Sequence, residues 1–231
     1  MGLGHSPRIV TDGLVLCLDA ANKRSYGGSG TTWTDLKGGN NGVLTNGPTF
    51  SSDNGGTLIF DGTDDYITLS SNIIESDFTV CFWMNLEIVV GSTYRSMIGA
   101  GGLSGNGYSL VFKGADSPES STASILNLLD GSASVAYLSY PFSELKSNWK
   151  YISFLKQEVL GSNYISLYID GDVYNSSISD GSLHIDAIGS LSASSATYPF
   201  DGKLACFSVY NRKLAVDEIR QNYLATKERY A

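Results

Sequence analysis

Six Asp-Gly steps, at Asp12, Asp61, Asp130, Asp170, Asp180 and Asp201, and four Asn-Gly steps, at Asn41, Asn46, Asn54 and Asn106, punctuate a chain of 231 residues. Both dipeptides tolerate the positive φ angles of tight hairpin turns, so each is expected to mark a chain reversal. Between them lie short runs in which apolar residues alternate with polar ones: 14–18, 57–60, 66–69, 78–84, 108–112, 125–129, 151–154, 164–169 and 203–210. A chain cut this often has no room for long helices. Many short strands with turn signals at this spacing point to an all-β, antiparallel two-sheet jelly-roll sandwich.

The segment YISLYIDGDVY is the clearest hairpin. Its period of two sends Ile165, Leu167 and Ile169 to the core and Tyr164, Ser166 and Tyr168 outward, with Asp170-Gly171 as the turn. One helix is expected near the C-terminus, over 216–227, where Val216, Ile219, Tyr223 and Leu224 fall at helical spacing. Its entry, Ala215-Val216-Asp217-Glu218, is a capping box whose first position lacks a hydroxyl. Alanine there costs about 1 kcal/mol, so the helix should depend on docking against the sandwich. Nothing in composition divides the chain: residues 1–9 read as an N-terminal arm and 10–231 as one sandwich with its helix.

Charge excludes one class of partner. A net charge of −8 and a pI near 4.6 leave little to neutralise phosphates, so nucleic acid is not an expected ligand. The opening MGLGHSPRIVTDG carries no basic stretch followed by an apolar one, and no apolar run approaches the length of a membrane span. Neither a signal peptide nor membrane insertion is expected. Cys17, Cys81 and Cys206 each sit in an apolar strand run and read as reduced core thiols. His5 and His184 belong to no recognisable ligand or catalytic constellation.

The series GLVLCLDAAN, WTDLKGGNNGVL, LIFDGTDDYITL, DFTVCFWMN, NWKYISF, ISLYIDGDVY and FDGKLACFSVYNRKLAVDEI, in that order from Val10 to Tyr223, resembles the laminin-G-like branch of the concanavalin A-like lectin/glucanase superfamily. The opening HSPRIVTDGLVLCLDAANKRSY, with the GSGTTWTDLKGGNNGVLTNGPTFSSDNGG after it, is similar to laminin-G-like structural proteins of tailed bacteriophages. That resemblance implies a non-enzymatic structural or adhesion protein of a virion (a head decoration, a fibre or a tail component) assembled in the host cytoplasm without a signal peptide. Its partners would be other virion proteins, copies of itself and host-surface polysaccharide. A stand-alone carbohydrate-binding module is the alternative, and a glycoside hydrolase stands behind both.

Hydrolysis would need two carboxylates held at a set separation around the scissile bond. The Glu-x-Asp-x-x-Glu strand of hydrolases with this fold has one local counterpart, Glu75-Ser76-Asp77, and Val80 occupies its third acidic position. No catalytic residue is therefore nominated and no cofactor is required. The family resemblance implies a calcium site at the sandwich rim. Asp61, Asp64 and Asp65, with Asp201 approaching them, are the candidate ligands, since calcium takes hard oxygen donors. The competing reading makes the same residues turn formers. Fourteen tyrosines supply flat rings for sugar stacking, and Tyr94, Tyr108, Tyr137, Tyr140 and Tyr198 are the carbohydrate-binding candidates near loops and strand edges.

Overall fold

A computed structural model describes residues 7–87, 94–99, 108–113, 124–130, 133–140, 142–145, 147–178, 183–194 and 196–230. The expected sandwich is present, and every strand pairing is antiparallel. The first sheet runs, in spatial order, β14 (Asp172–Ile178), β13 (Ser162–Ile169), β12 (Trp149–Val159), β7 (Thr79–Leu86), β16 (Asp201–Tyr210), β5 (Thr57–Asp61) and β4 (Thr49–Ser51). β1 (Leu14–Asp19) also lies on β16. The second sheet runs β11 (Ala133–Tyr140), β10 (Ser124–Asp130), β9 (Tyr108–Lys113), β8 (Tyr94–Gly99), β15 (Leu183–Ile188), β6 (Tyr66–Glu75), β3 (Gly42–Thr45) and β2 (Thr32–Trp33). A short helix α1 (Phe142–Leu145) precedes β12, and α2 (Val216–Thr226) follows β16.

β16 shares one edge between two partners. Residues 201–204 pair with β5 and residues 206–210 with β1. The exchange falls at a bulge at Ala205, whose carbonyl accepts the Ala20 N–H at 2.9 Å. The hairpin of β13 and β14 forms as expected: Ile165, Leu167 and Ile169 enter the intersheet core, and Asp170 and Gly171 turn with φ of 54° and 89°. Asn46-Gly47 and Asn54-Gly55 also take positive φ.

Two of the expected reversals are not reversals. Asp201-Gly202 opens β16, and a Cβ on Gly202 would meet the Asn85 carbonyl oxygen at 2.2 Å. Gly42 opens β3, where a Cβ would meet Ile67 Cγ2 at 2.7 Å. Glycine serves close approach at both positions. Asn106-Gly107, Gly131 of Asp130-Gly131 and Asp180-Gly181 lie outside the described residues.

A second core lies on the outer face of the first sheet. There α2 and the residues after it cover Cys81, Trp83, Tyr151, Tyr168 and Tyr210, with Leu214 and Ile219 fully buried. β7 is consequently buried at all eight positions, and the alternation read at 78–84 does not separate an inner from a solvent face. The helix entry is half a capping box: Ala215 N–H donates to Glu218 Oε2 at 2.8 Å, with no side-chain cap in return. Docking holds it, together with the segment leading into β1, because Asn222 Oδ1 accepts the Val10 N–H and Asn222 Nδ2 donates to the Tyr210 hydroxyl. Cys17 and Cys81 are buried, Cys206 is half-buried, and all three are free thiols. Burial pushes the Cys17 thiol up to about 11, far from a reactive thiolate.

Candidate functional site

One rim of the sandwich collects most of the residues nominated from sequence. Its base is the turn from β5 to β6. Asp61 Oδ1 accepts the Thr63 N–H at 2.8 Å, and Asp65 Oδ2 accepts the Asp61 N–H at 3.0 Å. Asn46 Nδ2 donates to the Asp64 carbonyl at 3.0 Å and ties the neighbouring loop to the turn. Gly62 must be glycine, since its φ is 71° and a Cβ would stand 2.8 Å from the Asp201 Cβ. Register brings in the fourth acid: Asp201 is the cross-strand partner of Asp61.

Carboxylate oxygens of Asp61, Asp64 and Asp65 lie within 4.8 Å of one another, with Asp65 buried and the other two exposed. Burial raises the Asp65 carboxyl above the usual range, its hydrogen bond from Asp61 N–H works against that, and the charges of Asp61 and Asp64 add to the rise. Asp201 is raised chiefly by burial; Arg95 lowers it, and Glu87 and Asp61 raise it. Among the described residues, Asp61, Asp64 and Asp65 are the group able to hold a cation; Asp201, expected as a fourth ligand, pairs with Asp61 across the strands but does not fall within that group. Two of them, Asp61 and Asp65, already serve backbone amides of the turn, so the turn-forming role accounts for them without an ion.

Arg95 was not singled out from sequence, where it is one basic residue in YRSMIG. Its Nη1 donates to the Gly62 carbonyl at 2.6 Å and to the Pro199 carbonyl at 3.0 Å, strapping the acidic turn to the loop ahead of β16. That loop lies directly on β8: a Cβ on Gly99 would sit 2.3 Å from the Leu191 carbonyl carbon. The loop is closed by Ser190, whose Oγ accepts the Thr197 N–H at 3.0 Å. It presents Tyr198 at φ 54°, a backbone region that tyrosine rarely adopts. The Tyr198 carbonyl accepts the Ser96 N–H at 2.7 Å, and its ring lies 5.2 Å from that of Tyr94, both packed on Val111 and Leu191.

Asp61, Asp64 and Asp65 thus cluster at one turn, with Asp201 as the cross-strand partner of Asp61, and Tyr94 and Tyr198 form a ring pair; Arg95 joins the two places through the Gly62 and Pro199 carbonyls. Tyr108, Tyr137 and Tyr140 do not join them as described groups. Their backbones lie on β9 and β11, and their side chains are outside the described residues. Register sets Tyr108 at the opposite end of β9 from Lys113, the partner of Tyr94. His184 stands half-buried on β15, and His5 is outside the described residues. Among the described residues no helix is long and apolar enough to cross a membrane.

Two antiparallel sheets folded as a jelly roll, with a rim built from inter-strand turns, define a lectin-type sandwich. Residues 61–220 match the sequence profile of a laminin G family of the concanavalin A-like lectin/glucanases superfamily, and the chain belongs to that superfamily. Among curated proteins, none matches the chain in sequence. Solved structures share the fold at low identity. Domain 4 of AbnA, a GH43 extracellular arabinanase from Geobacillus stearothermophilus solved in complex with arabinotriose, matches at 16% identity and a TM-score of 0.61, covering 92% of this chain and 98% of that domain. The botulinum neurotoxin type G receptor binding domain matches at 15% identity and a TM-score of 0.63, over 92% of this chain and 51% of that one. Trypanosoma rangeli sialidase in complex with sialic acid matches at 16% identity and a TM-score of 0.59, over 98% of this chain and 36% of the sialidase. The chain therefore spans about half of the toxin domain and about a third of the sialidase.

Proposed function

We propose that the chain is a non-catalytic attachment module that binds saccharide at the Tyr94–Tyr198 rim, and that it is carried on a tailed-phage particle. The observation that carries the saccharide reading is the ring pair. Two tyrosines 5.2 Å apart, one on a strand and one on a loop strapped down by Arg95, offer apolar ring surface that is already in place before a ligand arrives. Domain 4 of the arabinanase supports this reading, because a domain of nearly the same extent is seen with arabinotriose.

The absence of catalysis in this proposal rests on the acids. The close carboxylates Asp61 and Asp65 accept backbone N–H groups within one surface turn, a geometry suited to shaping the rim. The phage setting rests on the resemblance of the N-terminal quarter of the sequence, and virion proteins would be the partners.

Glycan-array screening and calorimetry with the purified full chain test the proposal. Tyr94→Ala and Tyr198→Asn should each weaken glycan binding by about tenfold or more, asparagine being chosen because it keeps the left-handed backbone available. Release of reducing sugar from a bound glycan would overturn the non-catalytic reading. Absence of the protein from purified particles of a phage that encodes it would overturn the virion setting.

A further inference from the structure

The outer face of the first sheet carries an aromatic depression that the rim does not explain. Trp83 and Tyr230 form its floor, 3% and 9% exposed, with ring centroids 4.3 Å apart. Trp149 and Tyr223 are half-buried and stand at its sides, 4.9 Å from Tyr230 and 5.8 Å from Trp83 respectively. The two indole N–H groups are engaged within the protein. Trp149 Nε1 donates to Asn54 Oδ1 at 3.1 Å and Trp83 Nε1 to Thr226 Oγ1 at 2.8 Å. Asn54 is itself held in a left-handed turn at φ 55°, with its Nδ2 donating to the Arg229 carbonyl at 2.7 Å. The Trp149 ring is therefore fixed in orientation from behind. The depression encloses about 240 Å³ and is open to solvent on one side.

Its charges select the ligand. Asp170 is anchored by the Tyr151 N–H and the Lys150 ammonium, each at 3.0 Å, and a carboxylate has about four acceptor positions, so capacity remains. Glu228 adds an exposed acceptor and Lys227 a donor, the Lys227 Nζ lying 6.0 Å from the Tyr223 ring centroid. A cationic ligand would compete with Lys150 and Lys227, which already neutralise this place. An anionic ligand would face Asp170 and Glu228. What fits flat rings flanked by both a carboxylate and an ammonium is a neutral polyol with one apolar face. The volume lies below the roughly 300–1,000 Å³ of drug-sized pockets and suits contact with about one sugar ring.

We infer that this cleft is a second saccharide-binding place, taking a single neutral sugar ring stacked on Trp149 and Tyr223. The inference shares its ligand class with the proposed function but occupies a different face and uses different residues. The full chain is titrated with neutral glycans ending in glucose, galactose, mannose or arabinose, and with sialylated and uronic acid-terminated glycans, while tryptophan emission is followed. Neutral termini should shift the emission. Trp149→Ala, checked for folding by circular dichroism, should lower affinity for them at least tenfold, and Trp149→Phe should keep binding while losing most of the emission shift. Should Trp149→Ala fail to fold, Glu228→Trp changes an exposed residue and should abolish binding by filling the cleft. Tyr94→Ala and Tyr198→Asn should leave the emission shift intact. If neutral-glycan binding is lost only in the two rim variants, the cleft is refuted and the rim reading stands. If acidic termini are preferred at the cleft, the charge argument fails. If no glycan binds the unaltered chain, both readings fall.

Discussion

The outer faces of the two sheets are covered to different extents. On the first sheet, α2 and the segment behind it cover a second apolar layer in which Trp83, Tyr151, Tyr210 and Ile219 are buried. On the second, Val43 and Ile74 stand 45% and 64% exposed on strands whose neighbours alternate inward and outward. The face that is roofed contributes stability, and the roof leaves a depression beside Trp149, the place inferred above for a second sugar ring. The rim draws its shape from turns, a strapping arginine and a tyrosine held at positive φ. Substitutions should separate the two regions cleanly.

The largest effect is expected in the roofed layer. Trp83→Ala should cost about 3–5 kcal/mol of unfolding free energy, whereas Ile74→Ser on the open face should change it by less than about 0.5 kcal/mol. Urea titrations of both variants check the contrast, and equal losses would break it. Next comes the strap. Arg95→Met removes both hydrogen bonds to the Gly62 and Pro199 carbonyls and should cost about 1–3 kcal/mol, with rim glycan affinity falling and the tryptophan emission shift at the cleft unchanged.

Acid should act on the two regions with opposite sign. Arg212 grips Glu218 through two hydrogen bonds of 2.7 and 2.8 Å and holds its carboxyl at about 2, below its unfolded value. A depressed carboxyl contributes stability that is present above the unfolded pKa and is lost as pH falls through the folded one. Asp65 and Asp201 are raised, so their contribution favours folding at low pH and is lost as pH rises through their folded values. Thermal melts from pH 2 to 7 should therefore show Arg212→Ala losing stability at neutral pH and flattening the acid limb below pH 4.5. Asp65→Asn should gain slightly at neutral pH and show no gain at low pH. The smallest effect concerns calcium. The turn hydrogen bonds of Asp61 and Asp65 predict that millimolar calcium or a chelator moves the melting temperature by about 1 °C or less; a rise of several degrees that vanishes in Asp65→Asn would assign the cluster to the ion.

Much of this architecture was written in local sequence. Short runs broken by Asp-Gly and Asn-Gly specify an antiparallel sandwich, and Asp170-Gly171 turns as its sequence requires. The alternating runs do not mark β2, β3, β4, β8 or β11. β2 and β4 are two and three residues long, and YRSMIG interrupts alternation with an arginine whose role is tertiary. TVCFWMNL alternates too little to show that both of its faces would be covered, because the cover comes from residues more than a hundred positions away. The rim was half legible. FDGTDDYI concentrates acids in one stretch, and cross-strand register rather than sequence proximity delivers Asp201. Nothing local to NWKYISF announces that Asn54 and Tyr230 will stand beside the half-buried Trp149.

The shared edge of β16 has a mechanical consequence. Leu14, at the start of β1, pairs with Tyr210, at the end of β16, so the two strands present neighbouring ends to whatever pulls on them. Tension between residue 8 and residue 230 would load the Gln221 Nε2 donation to the Arg8 carbonyl, the Val10 N–H donation to Asn222 Oδ1 and the hold of Asn54 on the Arg229 carbonyl before opening the ladder rung by rung like a zip. A load entering instead through a bound ligand at the rim would reach β16 from its other end, across Asp201 and Asp61, and would leave that fastening unloaded.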